Sequence, residues 1–136
     1  TASSSMIPTS TGAAKALGIV LPELAGRLDG VAVRVPTPNV SMVDFVARIK
    51  DKASSEAINS AFIEASKSTL HSYLDIAHEG AVSVDLLKNK HSAVFDPFGT
   101  SVIGDNFIKV IAWYDNEYGY SSRVLDLAIK IGSSLG

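Results

Sequence analysis

Hydrophobic and polar positions recur along the chain with two different periods, and the changes of period divide it into elements. After a polar opening, Ser10 fits an N-cap and STGAAKALGIV reads as a short helix rich in Ala and Leu. Pro22 stops or redirects that helix, and PELAGRLDG, with its two glycines, reads as a second short helical turn running into a loop. Val31, Val33 and Val35 alternate with Ala32 and Arg34, which is a strand period. PTPN then makes a rigid connection, because Pro36 and Pro38 fix their own φ and restrict the residues before them. In the next strand Ser41, Val43, Phe45, Ala47 and Ile49 share one face while Asp44 and Arg48 lie on the other, which predicts one buried and one wetter side.

From Ser54 the period becomes helical: Ile58, Ala61, Phe62 and Ala65 form a stripe, and Glu56 in the first turn complements the helix dipole. This predicts an amphipathic helix covering a sheet. Between residues 68 and 106 the pattern predicts short strands around SYLDIA, AVSVDL, SAVFD and TSVIG. FIKVIAWYD is apolar on both faces except for Lys109, the pattern of a central strand. DNEYGYSSRVLDLAIKIGSSL supplies a cap and a closing helix with Val124, Leu127, Ala128 and Ile131 on one face. Strands of antiparallel type and three helices, without regular βαβ repetition, predict an α+β fold in which a mostly antiparallel or mixed sheet is covered by helices.

Composition narrows the classes of function. The 136 residues are enough for one hydrophobic core and are expected to form a single unit; 46% are hydrophobic and 19% charged, which is not the composition of a disordered chain. Twelve Lys and Arg against fourteen Asp and Glu give a net charge of -2 with no block of either sign, so nothing here predicts a nucleic-acid partner. No apolar run approaches the roughly 20 residues of a membrane span, and the opening residues lack the basic and apolar regions of a signal peptide. With no cysteine, the chain has no disulfide, no thiolate metal ligand and no thiol nucleophile of its own. His71, His78 and His91 have no metal-site spacing, and no metal is expected; a glycine-rich nucleotide loop is also missing.

Three places carry candidate chemistry. A helix starting at Ser10 leaves the N–H groups of Thr11, Gly12 and Ala13 without intrahelical acceptors, and such an end attracts anions. Gly12 permits close approach and the Thr11 hydroxyl adds a donor, so the segment suits phosphate; it equally suits an ordinary capped helix. Arg34, on the strand face opposite the three valines, can grip a phosphate or carboxylate with two parallel hydrogen bonds or serve as a surface ion-pair partner, and the short connection from the helix leads to the expectation that Arg34 and the Thr11 end share one anion. WYDNEYGY joins a buried strand to a helix; Asn116 there matches another carboxamide, such as that of nicotinamide, and the segment also fits simple capping with aromatic packing.

At these same places the chain resembles glyceraldehyde-3-phosphate dehydrogenases, through IPTSTGAAKALG, LDGVAVRVPTPNVSMVD and KVIAWYDNEYGYSSRVLDL in the family's order and separation. The resemblance implies an enzyme that oxidises an aldehyde with NAD and inorganic phosphate through a cysteine thiohemiacetal, hydride transfer and phosphorolysis of a thioester. It matches Thr11 and Gly12 to the inorganic phosphate site and Arg34 to the arginine that contacts the phosphate groups. It matches Asn116 to the asparagine that orients the nicotinamide carboxamide, and Tyr120 to a tyrosine near the nicotinamide with a mainly packing role. Ser5 and Ser122 stand where the family usually has asparagine, and neither is assigned to catalysis.

On this reading the chain is the C-terminal fragment, residues 1–136, of an incomplete catalytic domain. The family's cysteine, its histidine partner and the Rossmann NAD-binding domain are expected before Thr1, so no catalytic residue lies in the chain and it is expected to be inactive alone. The parent is expected to be a cytoplasmic homotetramer acting on glyceraldehyde 3-phosphate and inorganic phosphate. Alternatives are a fragment of erythrose-4-phosphate dehydrogenase and a non-catalytic interaction or assembly module.

Overall fold

The structure is a computed structural model that describes residues 4–135. It forms two units, the first ending at Pro38 and the second starting at Asn39. The break falls in the PTPN connection, where two prolines remove backbone donors, so the expectation of a single unit is corrected.

In the first unit, β1 (Ile7–Ser10) pairs antiparallel with β2 (Val31–Arg34) as a two-stranded ribbon. Helix α1 (Ala13–Val20) and a 3-10 turn at Pro22–Leu24 connect them. Ser10 is opposite Val31 in the ribbon, so the helix starts at Ala13 with Gly12 as N-cap, two residues later than a Ser10 cap predicts. Ser10 is held extended by its ladder partner, and pairing outweighs its capping preference. No described residue before Val40 is buried, as expected for a segment this short.

The second unit is a four-stranded sheet ordered β3 (Ser41–Arg48), β6 (Phe107–Tyr114), β5 (Ala93–Ile103), β4 (Leu74–Ile76). β6 pairs antiparallel with both neighbours, and β4 runs parallel to β5, so the sheet is mixed and β6 is central as its two-faced apolar pattern predicts. Helix α2 (Ser55–Lys67) lies over β4 and β5. Its start is capped by the Ser54 Oγ, which accepts from the Ala57 N–H at 3.2 Å. Its stripe delivers Ile58, Phe62 and Ala65 to a core with Leu74, Phe95, Ile108 and Val110. Phe62 and Phe95 stack with ring centroids 4.1 Å apart. Ala61 stays exposed. The opposite sheet face carries a smaller cluster of Val40, Ala77, Leu86 and Val94.

Four expectations need correction. AVSVDL forms a 3-10 turn over Ser83–Leu86, where the Asp85 carboxylate accepts from the Val82 N–H at 2.9 Å and offers the backbone an alternative to a ladder. SAVFD and TSVIG are one strand, β5, with a register irregularity between Asp96 and Ser101. Pro97 and Gly99 sit within it, residues that strands confine to bulges and edges. β3 is an edge strand that α2 does not cover, so Val43 and Phe45, on its predicted buried side, remain 44% and 39% exposed. Helix α3 (Tyr118–Ser134) leaves its apolar face open: Val124, Leu127 and Ile131 are 48%, 58% and 51% exposed.

Candidate functional site

The ribbon register decides how Thr11 and Arg34 relate. Arg34 pairs with Ile7, and Thr9 with Ala32; residues directly opposite share a face, as do residues two apart, so Arg34 and Thr9 lie on one face. Thr11 follows two residues beyond Thr9 and lies beside Gly30, where an added Cβ would be 3.9 Å from the Thr11 methyl. Thr11 and Arg34 therefore lie at opposite ends of the ribbon unit, about 13 Å apart along the strand at roughly 3.3 Å per residue, so the expectation that they share one anion is corrected. Thr9 lies between them, a hydroxyl that sequence reasoning missed; its two-residue spacing from Thr11 was the available signal.

At the Thr11 end, the first intrahelical bond is from the Ala16 N–H to the Gly12 carbonyl at 3.0 Å, which leaves the amides of Ala13, Ala14 and Lys15 ahead of the ladder. The Thr11 Oγ1 accepts from the Ala13 N–H at 3.2 Å and keeps its own proton free to donate. The open amides are thus those of Ala14 and Lys15, a shift from the Thr11 to Ala13 set that a Ser10 cap predicts. Nothing lies within 4 Å of a Cβ built on Gly12, so the approach to this helix end is clear. At the other end Arg34 is exposed, and its guanidinium makes no ion pair or hydrogen bond among the described residues.

In the second unit the functional segment begins where β6 ends. Asp115 is 2% exposed and acts as a hub: its carboxylate accepts from the N–H groups of Glu117 at 3.0 Å, Tyr118 at 2.8 Å and Lys88 at 2.8 Å. The Lys88 bond fixes a residue in the left-handed region, φ 63°. Burial by itself raises the Asp115 pKa, but hydrogen bonds from Tyr118, Lys88, the Asn39 side chain and Glu117 outweigh it and hold the carboxyl below its ordinary value.

Next to this hub, Asn116 is exposed and its amide oxygen accepts from the Ser41 hydroxyl at 3.2 Å. Its amide nitrogen has no protein partner among the described residues. Tyr120 is 72% exposed on the first turn of α3, so the packing role expected for it is not observed. Ser41 could not be found from sequence, since 75 residues separate it from Asn116.

Gly119, at the start of α3, approaches the His91 carbonyl so closely that an added Cβ would lie 2.9 Å from its oxygen. Arg123 secures the same helix by donating to Ser92 Oγ at 3.1 Å and the Ser72 carbonyl at 3.3 Å, with its guanidinium 4.8 Å from the Tyr73 ring centre. The three histidines make local contacts, to Ser72 Oγ, the Glu79 carbonyl and Asn89 Oδ1.

The sequence model of the family described as glyceraldehyde 3-phosphate dehydrogenase, C-terminal domain, matches residues 1–116. This chain belongs to that family. It is 54% identical over 131 residues to glyceraldehyde-3-phosphate dehydrogenase 2 of Bacillus subtilis, covering 96% of this chain and 38% of that protein. It is 53% identical to glyceraldehyde-3-phosphate dehydrogenase 2 of Staphylococcus aureus over the same shares of the two chains. The chloroplastic glyceraldehyde-3-phosphate dehydrogenase GAPA1 of Arabidopsis thaliana is 52% identical over 123 residues, 90% of this chain and 31% of that protein. The chain thus spans about 38% of the length of its bacterial relatives. The Asn116 amide nitrogen, which has no protein partner among the described residues, is a donor of the kind that fits the carboxamide oxygen of a nicotinamide cofactor.

Proposed function

We propose that this chain is the C-terminal part of the catalytic domain of a phosphorylating, NAD-dependent glyceraldehyde-3-phosphate dehydrogenase, in which it supplies phosphate-binding groups and one nicotinamide contact. The observation that carries this reading is the ribbon, where an unpaired guanidinium, two threonine hydroxyls and the open amides of a helix end belong to one short hairpin-like unit. The Arg34 guanidinium, the Thr11 hydroxyl and the Ala14 and Lys15 amides have no intramolecular acceptor among the described residues, as phosphate oxygens require, while the Thr9 hydroxyl donates to the Ser10 carbonyl at 3.4 Å.

The amides of Ala14 and Lys15 and the Thr11 hydroxyl hold one tetrahedral oxyanion at the helix end, with Gly12 leaving room for it. Arg34 neutralises phosphate charge at the other end, and the roughly 13 Å between them suits two phosphate groups lying along one track better than a single anion gripped by both. Holding an attacking phosphate beside the reacting carbon turns a bimolecular encounter into a local one. NAD, when bound, supplies the acceptor for a hydride. This chain's share of that step is orientation, with the Asn116 amide donating to the carboxamide oxygen and Tyr120 lying beside it.

The 136 residues contain no cysteine, so a thiol nucleophile has to come from outside them, and the chain alone is inactive on this account. The parent is read as a homotetramer acting on glyceraldehyde 3-phosphate and orthophosphate, by kinship with its dehydrogenase relatives. Cytoplasmic residence is inferred from the bacterial relatives; the Arabidopsis relative is named as chloroplastic, so the compartment follows the organism rather than this domain.

The test is an assay of the full-length protein for NAD reduction with glyceraldehyde 3-phosphate, with and without orthophosphate. The expected result is a rate that requires orthophosphate, and no rate from the 136-residue chain alone. Equal rates with and without orthophosphate would overturn the phosphorylating assignment.

A further inference from the structure

Two short segments meet at the end of the sheet where β3 begins and β6 ends. Ser41 is paired with Tyr114 in the ladder, which brings Asn39, Val40 and Ser41 alongside Tyr114, Asp115 and Asn116. The first segment is held in an unusual shape. Val40 has φ 69°, a left-handed conformation that a β-branched residue rarely adopts, and it is buried at 7% exposure. Such a conformation persists only where its surroundings impose it, and residues of this kind gather at functional sites. Here the surroundings are visible: the Val40 N–H donates to the Asn39 Oδ1 at 2.8 Å. The Val40 side chain is anchored among Ala77, Leu86 and Val94.

This arrangement presents the Ser41 hydroxyl to Asn116. We infer that Ser41 is a positioning residue: its hydroxyl occupies the Asn116 amide oxygen at 3.2 Å, and so turns the amide nitrogen outward as the donor for a ligand carbonyl. A free asparagine amide can present either end, because its oxygen and nitrogen are interchangeable by a half-turn. The Ser41 hydroxyl tethers the carboxamide in one rotamer before the ligand arrives, and a ligand carbonyl, which only accepts, selects the state in which Ser41 donates to Oδ1 and the amide nitrogen faces outward; the tether lowers the ordering cost of binding. The inference rests on the reading of Asn116 as the nicotinamide contact and adds the residue that sets its orientation.

The experiment measures NAD dissociation constants by calorimetry on the full-length protein, for the wild type, Ser41→Ala, Ser41→Thr, Asn116→Ala and the Ser41→Ala, Asn116→Ala double variant. An exposed neutral hydrogen bond contributes at the low end of its usual range, so Ser41→Ala is expected to weaken NAD about 2- to 5-fold. Ser41→Thr keeps the hydroxyl and is expected to bind as the wild type does. The double variant is expected to bind no more weakly than Asn116→Ala alone, because Ser41 acts only through Asn116. A general structural role would weaken NAD in the Asn116→Ala background as well. Should alanine lower the melting temperature, Ser41→Cys keeps the volume while replacing the hydroxyl by a weak donor, and it gives the same readout. Wild-type affinity in Ser41→Ala alongside weakened binding in Asn116→Ala overturns this inference alone, as do fully additive losses in the double variant. Wild-type affinity in Asn116→Ala overturns the nicotinamide contact and the inference together.

Discussion

Asp115→Asn tests the hub of the second unit with little change of volume. The native carboxylate is 2% exposed and accepts three backbone N–H groups, from Lys88, Glu117 and Tyr118. The amide that replaces it keeps one acceptor oxygen, which can still cap α3. Its NH2 group then faces the Lys88 N–H, donor against donor, and leaves a part-buried amide unsatisfied at a cost of about 1–3 kcal/mol. Loss of the charge from the remaining cap bonds adds roughly 0.5–1 kcal/mol, for a total of about 1.5–4 kcal/mol.

Thermal unfolding followed by circular dichroism should then show a midpoint lower by about 6–30 °C, at the roughly 4–8 °C per kcal/mol usual for a unit of this size. The pH dependence gives a second reading. The folded pKa lies below the unfolded value, so the contribution is fully present above the unfolded pKa of about 3.9 and is lost as pH falls through the folded value. The wild type should therefore lose stability on acidification below about pH 4 more steeply than Asp115→Asn. A variant that melts within about 2 °C of the wild type, with the same acid limb, refutes the hub.

Three further substitutions test the packing. Phe95→Ala removes a ring that is 1% exposed and stacked on Phe62, and should cost about 3–5 kcal/mol in denaturant unfolding; a loss under about 1 kcal/mol would contradict the core assignment. Gly119→Ala places a Cβ 2.9 Å from the His91 oxygen and should cost about 1–3 kcal/mol, whereas an unstrained helical site would gain from alanine. Ser54→Ala removes the α2 cap and should cost about 1 kcal/mol, with Ser54→Asp restoring most of it.

Much of the second unit was legible because its signals are local. The two-faced apolar run of β6 and the helical stripe of α2 each follow from residues within a few positions of one another. β5 was read as two strands because Pro97 and Gly99 look like turn residues; only the partner strand shows that they sit at a register break. The apolar stripe of α3 is real, but periodicity tells which face is apolar and not what covers it, and its residues stay open among those described. At the candidate site, sequence pattern found the residue types in Thr11, Gly12, Arg34 and Asn116. It could not supply the ribbon register that sets Arg34 opposite Ile7, nor the link from Ser41 to Asn116. It also placed the open amides too early, because Ser10 is claimed by its ladder partner Val31.

The account stands most directly on the guanidinium of the ribbon, and Arg34→Ala in the full-length protein isolates it. Steady-state kinetics with glyceraldehyde 3-phosphate as the varied substrate should show its KM raised about 10- to 100-fold, the loss of one or two charge-assisted hydrogen bonds, with NAD affinity unchanged. A KM for glyceraldehyde 3-phosphate equal to that of the wild type would contradict the assignment of Arg34 to a phosphate group and, with it, the ribbon as the anion-binding element.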